Sequence, residues 1–529
     1  KQALISVLLS GMVVYLLGES IQLTLFSSVL VFISVIGHRV FTREYLFQQR
    51  HSSAAKTLVY GAGSAGVQFV TASMQGDTYN VVGYIDDDES IRGTSIHGRT
   101  VYPSKNIENL VKKNGIQIIV LALPSVSKTE RKRVIDSLIA LPTRVITIPT
   151  YEDLIEGKQI TQTENISVVD LLGRDPVPPL DFYLKAPTNN KVCLITGAGG
   201  SIGSELCRQI LKCDPKKLVL LDISEPALFD IEQDLLQSGF SEIICYLGSV
   251  NDTDLLNKIF KDNVIDSVFH AAAYKHVPMV EINPMAGIIN NVDGTKRILE
   301  ATLNAKCESF TLISSDKAVR PTNIMGATKR ISEMICQQAT QKNYNNTTIS
   351  MVRFGNVLGS SGSVIPIFQK QIKNGGPITL THPEITRYFM TIDEAAQLVI
   401  QATGMAKGGD LFLLDMGTPV KVYDLAERLI RLSGKTIKTD PNTQDQGAIE
   451  IKITGLRKGE KLYEELLVDA DALATEHPKI MRAIEQFIDE KTLNNGVLAL
   501  KEALKTDDIF KFKRLLTELV EGYEPSESE

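Results

Sequence analysis

The chain opens with two uncharged apolar segments, residues 3–17 and 21–37. Each is slightly shorter than the ~20 apolar residues that cross a bilayer as a helix. They predict a transmembrane helical hairpin over residues 1–45, and a buried helical hairpin is the alternative. Arg39 and further basic residues follow the second segment, which is typical of the cytoplasmic side of a membrane.

Short apolar runs of strand length recur from Thr57 onward and alternate with amphipathic stretches. This alternation is typical of parallel sheets with helices on both faces. The proline-rich stretch Asp175–Pro179 interrupts it, because proline continues neither a helix nor a sheet. The predicted fold class is therefore α/β: two tandem Rossmann-like doubly wound parallel sheets, the second with a small C-terminal substrate lobe. The predicted boundaries are 46–150 for a small Rossmann-like domain, 151–190 for a linker, 191–480 for a larger domain with its lobe, and 481–529 for C-terminal helices and a tail.

Composition narrows the class of partner. The 529 residues carry a formal net charge of −6, which gives no general attraction to nucleic acid. We therefore expect no nucleic-acid partner, and the sequence indicates no metal site.

The first glycine-rich turn has the spacing Gly61-x-Gly63-x-x-Gly66, and Asp86 follows Gly66 by 20 residues. This matches the dinucleotide fingerprint, in which the acid binds a ribose hydroxyl. No catalytic constellation accompanies it. A structural or regulatory role is therefore favoured over a working nucleotide site, which stays open as an alternative.

The second glycine-rich turn, Thr196–Gly203, follows one apolar run and opens a predicted helix. Glycines there let the backbone approach a pyrophosphate at the helix N-terminus. Asp222 ends the next run, where a carboxylate binds ribose hydroxyls and repels a 2′-phosphate, so NAD is favoured over NADP. Helix capping is the alternative role for Asp222. The candidate cofactor contacts are Thr196, Gly197, Gly200, Ser201, Ile202, Gly203, Asp222, Ser249, Val250, Ala271 and Ala273.

An acid and an amine stand at the end of a later apolar run, in Ser315-Asp316-Lys317. The carboxyl ends of parallel strands carry the chemistry in such sheets. Met325 and Lys329 follow at the start of a predicted helix. A solvated ion pair at the strand end is the alternative to a catalytic pair.

These motifs together resemble the extended short-chain dehydrogenase/reductase superfamily. More narrowly, the chain is similar to the membrane-anchored bacterial UDP-N-acetylglucosamine 4,6-dehydratases. The matching segments are 196–203, 271–278, 314–318, 325–329 and 353–360, within a dense resemblance over about 165–475. The order of parts, membrane helices before two Rossmann-like domains, also agrees.

The resemblance implies an enzyme that keeps NAD tightly bound and regenerates it in each turnover. A hydride leaves carbon 4 of the hexose, water is lost across carbons 5 and 6, and the hydride returns to carbon 6. The implied product is UDP-2-acetamido-2,6-dideoxy-4-hexulose, for a bacterial surface glycan or polysaccharide.

The resemblance also implies residue roles. Relatives in the superfamily place a tyrosine base where this chain has Met325, and methionine cannot move a proton. Lys317 is then the base at carbon 5, which requires a lowered pKa, and Asp316 is the acid for the leaving hydroxyl, which requires a raised pKa. Lys329 would bind the nicotinamide ribose and, as a cation, favour loss of the proton of the 4-hydroxyl. The proton of the 4-hydroxyl leaves either through Ser315 and water or through Asp316, and the sequence leaves both routes open.

Further site residues and the cellular setting follow from the same resemblance. Val357 is a cofactor contact, and the candidate substrate contacts are Lys275, Asn356, Ser361, Arg387, Arg457 and Glu460. The expected setting is the bacterial inner (cytoplasmic) membrane, with the catalytic domains facing the cytoplasm and the chain in a homo-oligomer. A UDP-sugar 4-epimerase and a non-catalytic membrane-tethered nucleotide sensor are the alternative functions.

Overall fold

The structure is a computed structural model, and it divides into two units. It describes residues 12, 22, 26, 29–39, 54–149 (except 75 and 77), 159–172 (except 161 and 167), 177–342, 347–360, 362–438, 447–465 and 472–525. The first unit contains residues 1–166 and 431–435, and the second contains 167–430 and 436–529.

The predicted membrane hairpin falls mostly on residues outside the described ranges. Residues 29–39 are helical. Within the described part of the chain, no helix combines the length and the apolarity that a membrane crossing requires. The hairpin over residues 1–45 therefore has no support from the structure and stays a prediction.

The first unit contains a mainly parallel sheet, as the alternating pattern predicted. Its strands are β1 (Ala55–Tyr60), β2 (Tyr79–Ile85), β3 (Ser95–Ile96), β4 (Arg99–Tyr102), β5 (Ile118–Leu121), β6 (Arg144–Thr147) and β7 (Glu164–Asn165). They lie in the order β3-β4-β2-β1-β5-β6-β7, and only the outermost pairs of this described sheet are antiparallel. Its helices are α1 (Ser64–Ser73), α2 (Ile107–Asn114) and α3 (Lys128–Leu138).

The second unit contains a larger sheet whose central strands are all parallel. Its strands are β8 (Val192–Thr196), β9 (Lys217–Asp222), β10 (Ile243–Leu247), β11 (Ser267–His270), β12 (Ser309–Ile313), β13 (Thr348–Arg353), β18 (Asp410–Leu414), β21 (Ala472–Ala474) and β22 (Ile480–Ala483). They lie in the order β10-β9-β8-β11-β12-β13-β18-β22-β21. The strand order reverses between β8 and β11, and ligands bind at such a switch point, beyond the carboxyl ends of the strands.

Short strand pairs build the lobe above this sheet edge. They are β14 (Asn356–Val357) with β17 (Phe389–Met390), β15 (Ile378–Leu380) with β20 (Ile451–Ile453), and β16 (Thr386–Arg387) with β19 (Val420–Lys421). The predicted substrate contacts Asn356 and Arg387 lie on these strands.

Helices cover both faces of the larger sheet. From residue 167 onward they are α4 (Val168–Leu172), α5 (Asp181–Lys185), α6 (Ser201–Leu211), α7 (Glu225–Gln237), α8 (Thr253–Asp262), α9 (Val277–Ile282), α10 (Pro284–Gly287), a π-helical turn (Ile288–Asp293), α11 (Gly294–Asn304), α12 (Ile324–Gln341), α13 (Val364–Lys373), α14 (Ile392–Met405), α15 (Val422–Leu432), α16 (Glu490–Lys505) and α17 (Ile509–Leu519). Strand side chains alternate between the faces. Cys193 and Ile195 therefore pack with α6, α7 and α14, while Leu194 packs with α8 and α11.

The C-terminal helices pack against the helix that carries two site residues. Leu493, Phe512 and Leu516 share a buried apolar cluster with Met325 of α12. This packing fixes the first turn of α12, where Met325 and Lys329 lie.

Candidate functional site

The turn after β8 is shaped by glycines that no larger residue could replace. Gly197 has φ +68°, and a Cβ on it would lie 2.7 Å from the backbone nitrogen of Ala272. A Cβ on Gly203 would lie 2.0 Å from the carbonyl oxygen of Gly197. The turn therefore brings the N-terminus of α6 close to the end of β8, which leaves room for a phosphate group.

Asp222 tethers this turn from the end of β9. Its Oδ2 accepts a hydrogen bond of 2.8 Å from the backbone N–H of Gly199, and its Oδ1 accepts one of 2.8 Å from that of Ser224. A cavity of about 240 Å³ lies beside it, called here the turn cavity. Among its walls are Gly197, Gly200, Asp222, Ser249, Val250, Ala271 and Ala273. The predicted cofactor contacts thus meet at one place, and small residues together with one carboxylate fit the adenosine half of a dinucleotide.

Thr196 does not line either cavity that the glycine turn borders. Its hydroxyl shares a 2.7 Å hydrogen bond with Nδ1 of His270, and its side chain is fully buried. Burial, together with the charge of Lys329, lowers the pKa of His270 to about 3, so the imidazole is neutral. The Thr196 side chain therefore bridges two neighbouring strands, and a cofactor contact at this residue stays a prediction.

A cavity of about 890 Å³ joins the glycine turn to the lobe and is called here the large cavity. The predicted site residues that line it are Gly197, Gly200, Ser201, Ile202, Gly203, Ala271, Ala273, Lys275, Ser315, Lys317, Met325, Lys329, Asn356, Val357, Arg387, Arg457 and Glu460. Ser361 lies outside the described residues. This volume is at the upper end of the range for small-molecule sites and suits a ligand pair such as a dinucleotide and a nucleotide sugar.

The catalytic candidates follow β12 in a tight turn. Ser315 caps a 3₁₀ turn (Asp316–Ala318), since its Oγ accepts a hydrogen bond from the backbone N–H of Lys317. The same hydroxyl donates to Oδ1 of Asp316 at 2.9 Å. Ser315 and Lys317 face the large cavity, whereas Asp316 has a fully buried side chain and borders a second cavity of about 200 Å³.

Lys317 lies between two carboxyl groups. Its Nζ is 3.1 Å from Oδ1 of Asp316 and 2.9 Å from Oε1 of Glu464. Burial opposes the charge of this amine, yet the two acids hold its pKa above the ordinary value. The predicted lowered pKa of Lys317 is therefore wrong, because the second acid stabilises the ammonium form.

The predicted raised pKa belongs to a different carboxyl. Burial and the neighbouring Asp316 raise the pKa of Glu464 to about 7. The buried carboxyl of Asp316 has its pKa held below the ordinary value, by the charge of Lys317 and by a hydrogen bond with Glu464. The predicted raised pKa of Asp316 is therefore wrong, because the ammonium group and that bond favour its ionised form.

Glu464 is the site residue that the sequence did not reveal. Its side chain is 5% exposed, and its Oε2 accepts a 3.2 Å hydrogen bond from Nδ2 of Asn356. It belongs to the lobe, far along the chain from Lys317. Two adjacent glutamates, Glu464 and Glu465, give no sign in the sequence of which one is buried.

Lys329 and Met325 lie one helical turn apart at the start of α12. The Nζ of Lys329 donates to the carbonyl oxygen of Ile313 at 2.8 Å, which ties α12 to the end of β12. Burial lowers the pKa of Lys329 to about 8, with Glu333 opposing, so the amine is still mostly charged at neutral pH. Met325 is 2% exposed and offers only an apolar surface to the large cavity.

The lobe supplies a guanidinium group beside the catalytic turn. Arg387 pairs with Glu460 at 3.2 Å and with Glu464 at 3.3 Å. Arg457 is exposed at the rim, and its backbone N–H donates to Oε2 of Glu460. A guanidinium group at this position suits phosphate oxygens. Arg387 is also linked to Lys317, because both pair with Glu464.

A buried ionic network lies behind the catalytic turn. Arg353 is 1% exposed and pairs with Glu333 at 2.6 Å and with Glu485. Glu333 in turn accepts a 2.6 Å hydrogen bond from the hydroxyl of Ser314. The network therefore fixes Ser314, the residue that precedes Ser315. The members of this network were not predicted from the sequence.

Comparison with known proteins agrees with this site. A family model described as polysaccharide biosynthesis protein matches residues 193–485. The chain is 42% identical over 440 residues to the capsular polysaccharide biosynthesis protein CapD of Staphylococcus aureus, with 82% of this chain and 72% of the relative covered. It is 39% identical over 511 residues to the probable polysaccharide biosynthesis protein EpsC of Bacillus subtilis, with 92% of this chain and 84% of the relative covered.

A solved structure is similar in fold. The structure of Pen from Bacillus thuringiensis superimposes with a TM-score of 0.51 at 34% identity, covering 56% of this chain and 88% of that one. The family match contains both the glycine turn and the Lys317 cluster, so the resemblance found in the motifs is confirmed at the level of the family. The chain therefore belongs to the polysaccharide biosynthesis protein family, within the extended short-chain dehydrogenases/reductases.

Proposed function

We propose that the chain is an NAD-dependent 4,6-dehydratase of UDP-N-acetylglucosamine that serves the biosynthesis of a bacterial surface polysaccharide or glycan. The observation that carries this proposal is the acid–amine cluster of Asp316, Lys317 and Glu464 at the wall of the large cavity. Oxidation and reduction at carbon 4 alone need no such cluster. Loss of water across carbons 5 and 6 needs both a base and an acid.

The cofactor would be held by the turn cavity and the adjoining part of the large cavity. Gly197 and Gly203 give the backbone its close approach, and Asp222 would bind the adenosine ribose. Lys329, on the wall near β12, would bind the second ribose. When bound, NAD supplies the acceptor and later the donor of one hydride.

The residues of the chain would then handle the protons. Lys317 is the base at carbon 5, because it carries an amine and borders the large cavity. Asp316 does not border that cavity, so Ser315 links it to the sugar: the serine hydroxyl contacts Oδ1 of Asp316 and borders the cavity. A proton leaving Asp316 for the departing hydroxyl passes through Ser315.

The nucleotide part of the substrate would bind in the lobe. Arg387 and Arg457 face the large cavity and offer the planar donor groups that diphosphates favour. Glu460 would accept hydrogen bonds from the uridine ribose. Lys275 and Asn356 also line this cavity.

Two other functions share parts of this site. A UDP-sugar 4-epimerase would use the same fold and cofactor without the Lys317 cluster, and a non-catalytic nucleotide sensor would need no proton donors. Incubation of the purified protein with UDP-N-acetylglucosamine tests all three. Mass spectrometry should show loss of one water. An isomer of unchanged mass would indicate the epimerase, and an unchanged substrate would favour the sensor.

The cellular setting is proposed on the sequence alone. The apolar hairpin over residues 1–45 would anchor the chain in the inner membrane, and the basic residues after it would place the catalytic part in the cytoplasm. A homo-oligomer is proposed on the family resemblance. Fractionation of cells and light scattering of the purified protein test these two statements.

A further inference from the structure

Glu464 is buried at the centre of a cluster that links the catalytic turn to the lobe. Its Oε1 lies 2.9 Å from Nζ of Lys317 and 3.3 Å from Nε of Arg387. Its carboxyl is also in hydrogen-bond contact with that of Asp316. Among the described residues, the charged groups in contact with Glu464 include Asp316, Lys317 and Arg387, and the amide of Asn356 is a neutral neighbour.

Oδ2 of Asp316 shows why this contact matters. The atom is buried, and with both carboxyls ionised no donor among the described residues reaches it. Leaving a buried acceptor without a donor has a free-energy cost. A proton on Glu464 removes this cost, since the carboxylic acid can donate a hydrogen bond to Asp316.

The charge of Glu464 also decides whether Lys317 can act as a base. Between two carboxylates the amine keeps its proton, and a protonated amine cannot take a hydrogen from carbon 5. With one of the two acids neutral, a proton can move from Nζ of Lys317 to Oδ1 of Asp316 over 3.1 Å. This transfer creates the base and the acid of the elimination step together.

We propose that Glu464 is a positioning residue of the elimination step, which as a neutral carboxylic acid leaves Lys317 beside a single carboxylate and so allows the amine to pass its proton to Asp316. This rests on the proposed dehydratase function. The step balances: the N–H bond of Lys317 breaks and an O–H bond forms on Asp316. The amine then takes the proton of carbon 5, the C–H electrons form the bond between carbons 5 and 6, and the 6-hydroxyl leaves as water with the proton from Asp316. Lys317 ends charged and Asp316 ionised, as before the transfer.

The charge of Glu464 predicts a pH dependence with a definite sign. The pKa of Glu464 is raised to about 7, so the neutral form predominates below that pH. The rate of water loss should therefore fall about tenfold for each pH unit above 7. E464Q fixes this side chain in a neutral form of the same shape whose amide can still donate to Asp316.

The test compares pH profiles of water loss from UDP-N-acetylglucosamine for the wild type, E464Q and E465Q. We expect E464Q to remain active and to lose the fall above pH 7, so that near pH 8 it is about tenfold faster than the wild type. E465Q is the matched control, because Glu465 is exposed and pairs with Lys461 at 3.6 Å. It should keep the profile of the wild type.

Infrared spectra provide a readout that needs no turnover. A buried carboxyl that titrates near pH 7 should give a carbonyl band in the wild type and in E465Q, and E464Q should lack it. The proposal is overturned if E464Q is slow at every pH, if its profile equals that of the wild type, or if the band is absent. The wild type could show this carbonyl band and still leave UDP-N-acetylglucosamine unchanged. That result would refute the dehydratase function but would leave the protonation of Glu464 supported.

Discussion

Replacing Lys317 with methionine is the most direct test of the catalytic assignment. Methionine fills a similar volume but cannot accept a proton from carbon 5. Removing a positioned general base usually lowers a rate by ~10²–10⁴. We therefore expect K317M to lose water from the substrate at least ~10²-fold more slowly than the wild type.

The structure also sets the effect on stability. In K317M, Glu464 keeps Arg387 at 3.3 Å, whereas Asp316 has no other cationic partner among the described ion pairs. An unpaired buried charge costs ~3–5 kcal/mol, and proton uptake by Asp316 reduces this cost. The folded-state pKa of that carboxyl would then lie above its unfolded value. The stabilisation is therefore present at low pH and lost as the pH rises, so K317M should melt closer to the wild type at about pH 5 than at about pH 8.

The assay must separate the base from the acid. In heavy water, a working base exchanges the hydrogen at carbon 5 even when water loss is blocked. K317M should therefore lose both exchange and water loss, whereas S315A, which interrupts the path from Asp316 to the departing hydroxyl, should keep exchange and lose water loss. K421M is the control, since Lys421 forms an ion pair with Glu384 outside the cluster. Water loss by folded K317M within about tenfold of the wild type would refute Lys317 as the base.

Three further substitutions test other parts of the site. M325Y should keep turnover within about tenfold of the wild type, because the proposed reaction uses no phenol at this position. The Met325 side chain is 2% exposed, so overpacking by tyrosine should lower the free energy of unfolding by ~1–3 kcal/mol. A folded but inactive M325Y would contradict the first expectation. G203A should abolish NAD binding in a fluorescence titration, because the new Cβ would lie 2.0 Å from the carbonyl oxygen of Gly197. In G200A the new Cβ would lie 3.1 Å from the same oxygen, so this variant should bind NAD more weakly but measurably. Equal binding by both variants would be evidence against a dinucleotide at this turn. R353M should lower the free energy of unfolding, measured in denaturant, by ~3–5 kcal/mol, because it leaves Glu333 and Glu485 without this partner in the core. An unchanged midpoint of denaturant unfolding would show that the network contributes little to stability.

The sequence was sufficient to predict the parts of the site that depend on local spacing. The glycines of residues 197–203 and Asp222 lie within one βαβ segment, so their order along the chain fixes their meeting in space. Ser315 and Lys317 were recognised for the same reason, as they follow one strand directly. The alternating pattern likewise predicted both parallel sheets, because apolar runs of strand length alternate with amphipathic helices.

The charge states could not be predicted from the sequence, because they depend on a distant residue. Glu464 reaches Lys317 only through the folding of the lobe over the sheet, and nothing in its spacing distinguishes it from Glu465. The hydrogen bond of the Thr196 side chain was likewise not predicted, because its partner, His270, lies on a neighbouring strand. Contacts between separate strands and lobes lie beyond what local pattern can indicate.

The apolar character of Met325 is consistent with where the structure places the protons. Met325 packs in the cluster formed with α16 and α17, and a phenol there would be held in largely apolar surroundings. Burial raises the pKa of a phenol, which makes it a poorer proton acceptor at neutral pH. A separate cluster of titratable groups is available in the site, because Glu464, with a pKa of about 7, lies beside Lys317. If protons move through the cluster around Lys317 and Glu464, the site loses little activity when residue 325 of α12 contributes only packing. This arrangement is therefore the physical reason why methionine at residue 325 is compatible with catalysis.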